Sequence, residues 1–127
     1  MTASWLKAAT TGEAAEINRL IAGGQDVDAL DRYGQTALML TTLHGHIEAA
    51  HVLISAGANL DHTAKYHLSA LMLAAINDRF EIASMLVEAG ADTTITGTGA
   101  PGFHGKTAFD LATDLKRELI SELLEAT

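Results

Sequence analysis

A repeat of 33 residues constrains this chain more than any other feature of its sequence. The tetrapeptide ALML at 37–40 returns at 70–73, and the tripeptide AGA at 56–58 returns at 89–91. A unit of this length holds one small group of secondary-structure elements, which cannot bury its apolar side chains alone. The sequence therefore predicts a stack of similar units that are stabilised by their neighbours.

The period reaches both ends of the chain. Gly12 precedes Gly45 by 33 residues, whereas Thr107 follows its counterpart Ser69 by 38, five residues more than the period. We therefore expect a single domain, 1–127, of four repeats, with five extra residues in the loop of the third. The approximate bounds are 1–30 (a degenerate N-terminal cap), 31–63, 64–101 and 102–127 (a C-terminal cap that ends after its second helix).

Each repeat is predicted to form two short antiparallel helices and a loop, which gives an all-α fold. In the second repeat the helices span about 37–44 and 47–56, with Thr36 as N-cap and Gly45 in the turn between them. Ser69 and Thr107 are the equivalent N-caps. In the first repeat Trp5 takes the place of a leucine, so packing inside the array is its favoured role and partner contact the alternative.

The last helix is predicted over 115–126, with a polar outer face suited to the end of an array. Its Lys, Arg, Ser and Glu side chains are expected to face water. The apolar side chains expected to face inward are Leu115, Leu119, Ile120, Leu123 and Leu124.

The repeated pattern G-x-T-A-L, G-H-x-E and A-G-A-[DN] resembles the ankyrin repeat, and the resemblance covers the whole chain. It implies an ankyrin-repeat solenoid of stacked antiparallel helix pairs with short, β-hairpin-like finger loops. Two departures concern stability. Residues 37–39 read Ala-Leu-Met where the family has Pro-Leu-His, so the hydrogen bonds by which that histidine ties repeats together must be missing or replaced. In the third repeat, His67 stands where a turn glycine belongs, and Asp78-Arg79 replaces Gly-His.

Composition excludes several classes of function. The formal net charge is −8, which disfavours both nucleic acid and anionic lipid as partners. There are no cysteines and no apolar run near the roughly 20 residues that span a bilayer, and we expect no secretory leader, because the first residues lack a basic start followed by an apolar run. We expect a monomeric, cytoplasmic protein, and the initiating Met1 and polar last helix favour a complete small protein.

The octapeptide APGFHGKT at 100–107 mimics a phosphate-binding loop, and Gly97, Gly99 and Gly102 spell G-x-G-x-x-G. Such loops need a buried strand before them, and none is predicted here. Gly105 instead shares the repeat register of Gly34. A small-ligand or nucleotide binder that uses the 97–107 loop remains the alternative hypothesis.

No catalytic, metal or cofactor site is predicted. None of the six histidines pairs with another at the spacing of one helical turn, and the chain has no nucleophile elbow and no H-E-x-x-H motif. We therefore expect no enzymatic activity.

The resemblance implies that the chain binds another protein through its fingers and first helices. Arg32 and Lys65 are one period apart, as are Tyr33 and Tyr66, and we call these four residues the finger ladder. The ladder is basic and aromatic on an acidic chain, so an acidic or aromatic partner segment is expected. The alternative is that the tyrosines pack on the next finger. The full candidate set is Arg32, Tyr33, Gln35, Leu43, His44, Lys65, Tyr66, Leu68, Ile76, Asn77, Phe103 and His104.

Overall fold

The computed structural model describes residues 1–127 as four pairs of α-helices joined by loops, with no β-strand. A short 3₁₀ turn, Lys65–His67, precedes the third pair. The helices are α1 (Ala3–Thr11), α2 (Ala14–Ala22), α3 (Ala37–His44), α4 (Ile47–Ser55), α5 (Ala70–Ile76), α6 (Phe80–Glu88), α7 (Ala108–Asp114) and α8 (Glu118–Glu125).

The helices form two layers. The first helices of the pairs contact one another in the order α1, α3, α5 and α7, and the second helices do so in the order α2, α4, α6 and α8. This arrangement confirms the predicted all-α solenoid. The finger loops are hairpin-like, because the two ends of each are joined across a tight turn: Asp31 N–H donates to Gln35 O, and Ala64 N–H donates to Leu68 O.

One continuous apolar core runs through the stack. Leu53 and Leu86, on equivalent positions of the second helices, are fully buried. Trp5 is fully buried as well, which supports its packing role and excludes surface contact with a partner. The expectation for the last helix is only partly right, since Ile120 and Leu124 are buried but Leu115 is exposed. Leu119 is 61% exposed, so its predicted inward position is wrong.

The predicted N-caps are confirmed. The side-chain oxygen of Thr36 accepts from Met39 N (3.2 Å) and that of Ser69 from Met72 N (3.3 Å). Thr107 forms a complete capping box with Asp110. Each cap satisfies one of the backbone N–H groups that have no partner inside a helix.

The turn between the two helices of each pair needs a left-handed residue. Gly12 and Gly45 fill it with φ of 74° and 72°, and Asp78 and Lys116 fill it with φ of 57° and 60°. Gly12 has a second constraint, because a Cβ there would lie 2.5 Å from Cγ of His46 in the next repeat. Similarly, His67 has φ of 60° where its counterpart Gly34 has 75°. Asp78 and Lys116 therefore keep the left-handed backbone of glycine and carry some strain, whereas the third finger differs further, because Tyr66 also has φ of 62°.

Side chains after these turns tie each repeat to the one before it. Each donates to a carbonyl at the C-terminal end of the preceding first helix, where carbonyls have no helical partner. The three bonds are His46 to Thr10 O (2.8 Å), Arg79 to Leu43 O (2.9 Å) and Arg117 to Ile76 O (3.0 Å). Arg79 and Arg117 thus make the same contact between repeats that His46 makes in the second repeat.

A second series of bonds joins the loops after the second helices. Asp28 Oδ1 accepts from Asn59 N and Asp61 Oδ1 accepts from Asp92 N, each at 2.8 Å and each one repeat apart. His62 Nε2 donates to Gly34 O at 2.8 Å. The family's histidine ties, missing from the sequence, are therefore replaced by bonds at other positions.

The core makes a quantitative prediction about stability. Leu53→Ala and Leu86→Ala each remove a fully buried side chain, so each should lower the free energy of unfolding by about 2–5 kcal/mol in urea titrations. The control is Leu119→Ala, at an exposed leucine, which should change it by less than about 1 kcal/mol. Equal losses in all three variants would contradict the stacking described here.

The arginine ties make a second prediction. Arg79→Ala leaves the Leu43 carbonyl without its partner, so we expect a loss of about 1–3 kcal/mol in the same titrations. Arg32→Ala removes an exposed arginine that makes no such bond, and we expect a change within about 0.5 kcal/mol. If the two variants are equally stable, the ties between repeats contribute nothing measurable.

Candidate partner-binding surface

The second and third fingers each place a cation over a tyrosine ring. Arg32 Cζ lies 5.0 Å from the centroid of the Tyr33 ring, and Lys65 Nζ lies 5.0 Å from that of Tyr66. The second finger is shaped by Asp31, whose Oδ1 accepts from the N–H groups of Tyr33 (2.9 Å) and Gln35 (2.8 Å). Local hydrogen bonds and cation–π contacts thus present each aromatic ring together with a positive charge.

The two tyrosines differ in their surroundings. Tyr66 packs against the long loop that follows α6: its ring lies 5.4 Å from the Phe103 ring, and its carbonyl accepts from Thr98 N at 2.8 Å. Tyr66 is 37% exposed, whereas Tyr33 is 65% exposed. The alternative that finger tyrosines pack on the next finger therefore holds for Tyr66 and not for Tyr33.

Two grooves lie on the finger side of the stack, and Tyr33 and Gln35 line both. Groove A, about 790 Å³, lies between the first two repeats and is lined by Met1, Leu6, Thr10, Leu30, Asp31, Arg32, Tyr33, Gln35 and Leu40. Groove B, about 350 Å³, lies between the second and third and is lined by Tyr33, Gln35, Leu43, Ala64, Lys65, Tyr66, Leu68 and Leu73. Most positions of groove B are positions of groove A moved on by one period, so the grooves are the same feature repeated.

Comparison with known protein families assigns these repeats to a family. The family model of ankyrin repeats matches residues 5–97 in three copies. The chain belongs to the ankyrin repeat family. Ankyrin repeats are in general protein–protein interaction modules. No curated protein matches the chain in the sequence search.

Grooves A and B bring together seven of the twelve candidate residues. Of these, Leu68 is 7% exposed and belongs mainly to the core, so it offers only its edge to groove B. The seven are Arg32, Tyr33, Gln35, Leu43, Lys65, Tyr66 and Leu68.

The other five candidates lie outside the grooves. His44 is exposed with its ring 6.0 Å from that of His46, and the Asn77 amide donates to Leu73 O at 2.9 Å. The Ile76 carbonyl accepts the Arg117 tie. Phe103 and His104 belong to the long loop, where Phe103 contacts Tyr66 and His104 forms an isolated bridge with Gly97.

Several residues that line the grooves are not among the twelve candidates predicted from the sequence. Leu40 and Leu73, the last residues of the repeated tetrapeptide ALML, line equivalent places in grooves A and B. Their one-period spacing could have identified them, because a residue that lines one groove predicts that the residue 33 positions away lines the next groove. Met1, Leu6 and Leu30 had no such signal, since the first repeat is degenerate.

An apolar patch on the opposite edge was also missed. Ile47 and Phe80, one period apart at the starts of α4 and α6, are 41% and 37% exposed, and Leu119 lies beside them. These three side chains and Arg79 line a cavity of about 350 Å³. The patch lies at the short turns between paired helices, away from the fingers.

The loop that mimics a phosphate site is closed on itself. The N–H groups of Phe103 and His104 donate to Ala100 O, that of Gly105 donates to Gly97 O, and that of Lys106 donates to Phe103 O. The 97–107 loop therefore has few N–H groups to offer a phosphate, so the geometry does not support the nucleotide alternative.

The charged groups near the loop are paired as well. The Lys106 ammonium group pairs with the Asp114 carboxylate of α7. At the loop's start, Asp92 Oδ1 accepts from the Thr94 hydroxyl (2.6 Å) and from Thr94 N–H (2.8 Å). These bonds hold the pKa of the Asp92 carboxyl below its ordinary value.

No three His, Asp or Glu side chains converge closely enough to hold a metal ion. None of the eight helices has the length and apolar character required to cross a bilayer.

The closed loop predicts the outcome of a nucleotide titration. Millimolar ATP or GTP with Mg²⁺ should leave the melting temperature unchanged, because only a ligand of the folded state raises it. Thermal shift measures this directly. A rise that Lys106→Ala abolishes would restore the nucleotide hypothesis, whereas a rise that persists in this variant would indicate binding elsewhere.

Proposed function

We propose that this ankyrin array binds another protein through the finger ladder and grooves A and B, and that it has no catalytic activity of its own. The observation that carries the proposal is the repetition of one groove at two successive repeat boundaries, with the exposed Tyr33 ring between them. Exposed tyrosine and arginine beside an apolar groove are the side chains that dominate binding energy at protein interfaces.

Charge indicates the chemistry of the partner. The chain carries a formal net charge of −8, yet Arg32 and Lys65 place two cations along the grooves. An acidic segment would be attracted to these cations and repelled by most of the remaining surface, which favours one orientation of binding. Aromatic side chains of the same segment would stack on Tyr33.

The test is charge reversal in the ladder. Arg32→Glu with Lys65→Glu should abolish capture of the partner on the immobilised protein, and circular dichroism should show unchanged helicity because both side chains are exposed. The matched control is Arg19→Glu with Lys116→Glu, which makes the same change of net charge on exposed side chains of α2 and of the turn before α8, outside both grooves. Arg19 pairs only with Glu16 at the surface, so its loss should matter little.

The outcomes separate clearly. Loss of capture in the ladder variant but not in the control supports the proposed surface. Equal capture by both variants would exclude the ladder, and equal loss in both would indicate that net charge alone is responsible.

A further inference from the structure

We propose that grooves A and B bind an acidic segment in the polyproline II conformation, with apolar side chains three residues apart that fill one groove each. This inference rests on the proposed function and names the kind of partner segment that fits it. It follows from the spacing of the grooves, the groups that line them and a contact that the chain makes with itself.

The spacing of the grooves selects the backbone of the segment. Equivalent groove positions are one repeat apart, and stacked helices lie about 8–10 Å from each other. A polyproline II chain has three residues per turn and a rise of about 3.1 Å, so residues i and i+3 face the same side about 9 Å apart. A β-strand presents i and i+2 on one face at about 7 Å, which is too short, and i and i+4 at about 13 Å, which is too long.

A bound helix could match the distance but not the groups in the grooves. Residues i and i+7 of an α-helix lie about 10 Å apart, yet its backbone hydrogen bonds are already made within the helix. Gln35 faces both grooves, and it is the backbone of Gln35, not its side chain, that bonds Asp31. The amide of Gln35 can therefore bond the unpaired backbone of an extended segment. Aromatic walls such as Tyr33 and Tyr66 also suit polyproline II ligands.

The chain itself makes a related contact, without the polyproline II conformation, at the third repeat boundary. There the long loop lies on the third finger, with the Phe103 ring against Tyr66 and Thr98 N–H bonded to the Tyr66 carbonyl. The finger side of the stack has no groove at this boundary. An irregular segment with an apolar side chain on the finger tyrosine is thus an arrangement that this surface already accepts.

The charge of the segment follows from the edges of the grooves. Arg32 lines groove A and Lys65 lines groove B, one period apart. The one carboxylate in the two grooves, that of Asp31, already accepts two backbone N–H groups. Acidic residues beside each apolar anchor of the segment would therefore meet a cation in both grooves.

The test is selection of peptides from a displayed library of random dodecapeptides on the immobilised protein. We expect enrichment of sequences with apolar residues at i and i+3, acidic residues beside them, and proline. Fluorescence anisotropy of the enriched peptides should show affinity about tenfold weaker for Tyr33→Ala, as for a hot-spot aromatic. Tyr33→Phe should bind as the unaltered protein does. Leu119→Ala, on the opposite edge, is the matched control and should have no effect.

Each other outcome overturns the inference. Enrichment of i and i+7 spacing would indicate a helical ligand, enrichment of basic peptides would contradict the charge argument, and no enrichment would exclude short extended ligands. The proposed function survives these results if Arg32→Glu with Lys65→Glu still abolishes capture of the protein partner. It falls as well if enriched peptides and protein partner both bind this double variant normally.

Discussion

Every helix pair in this chain depends on its neighbours to bury its apolar side chains. Leu53 and Leu86 are fully buried only because first helices pack on first helices and second helices on second helices. The interfaces between repeats therefore determine stability, and hydrogen bonds at the two sides of the stack reinforce them. The same dependence fixes the functional surface, since a side chain at one register position reappears beside its counterpart at the next boundary.

Different side chains can make the same contact at equivalent positions of the repeats. His46, Arg79 and Arg117 all donate to the end of the preceding first helix. The turn before each of them keeps left-handed backbone whether it holds glycine, Asp78 or Lys116. Departures from the family pattern are therefore replacements within a geometry that stacking imposes, which explains why the array tolerates them.

The sequence was informative wherever the period applied. The period located α3, the three predicted N-caps and the finger positions, because repeated residues must occupy equivalent environments. At Leu119 the period and the apolar spacing of the last helix disagree: the period gives Leu119 the register of the exposed Glu48 and Glu81, and the structure agrees with the period. The contact of Tyr66 with Phe103 could not be predicted, since the longer loop has no counterpart elsewhere in the chain. The contribution of Met1, Leu6 and Leu30 to groove A likewise could not be predicted, since they belong to the degenerate first repeat.

The longer loop also limits the number of grooves. Four helix pairs have three boundaries, but the Phe103 side chain lies at the last of them, and the finger side has two grooves. A segment laid along the fingers would meet the Phe103 side chain beyond Tyr66. Insertion of five residues in one loop thus sets how many subsites the array offers, independently of how many repeats it contains.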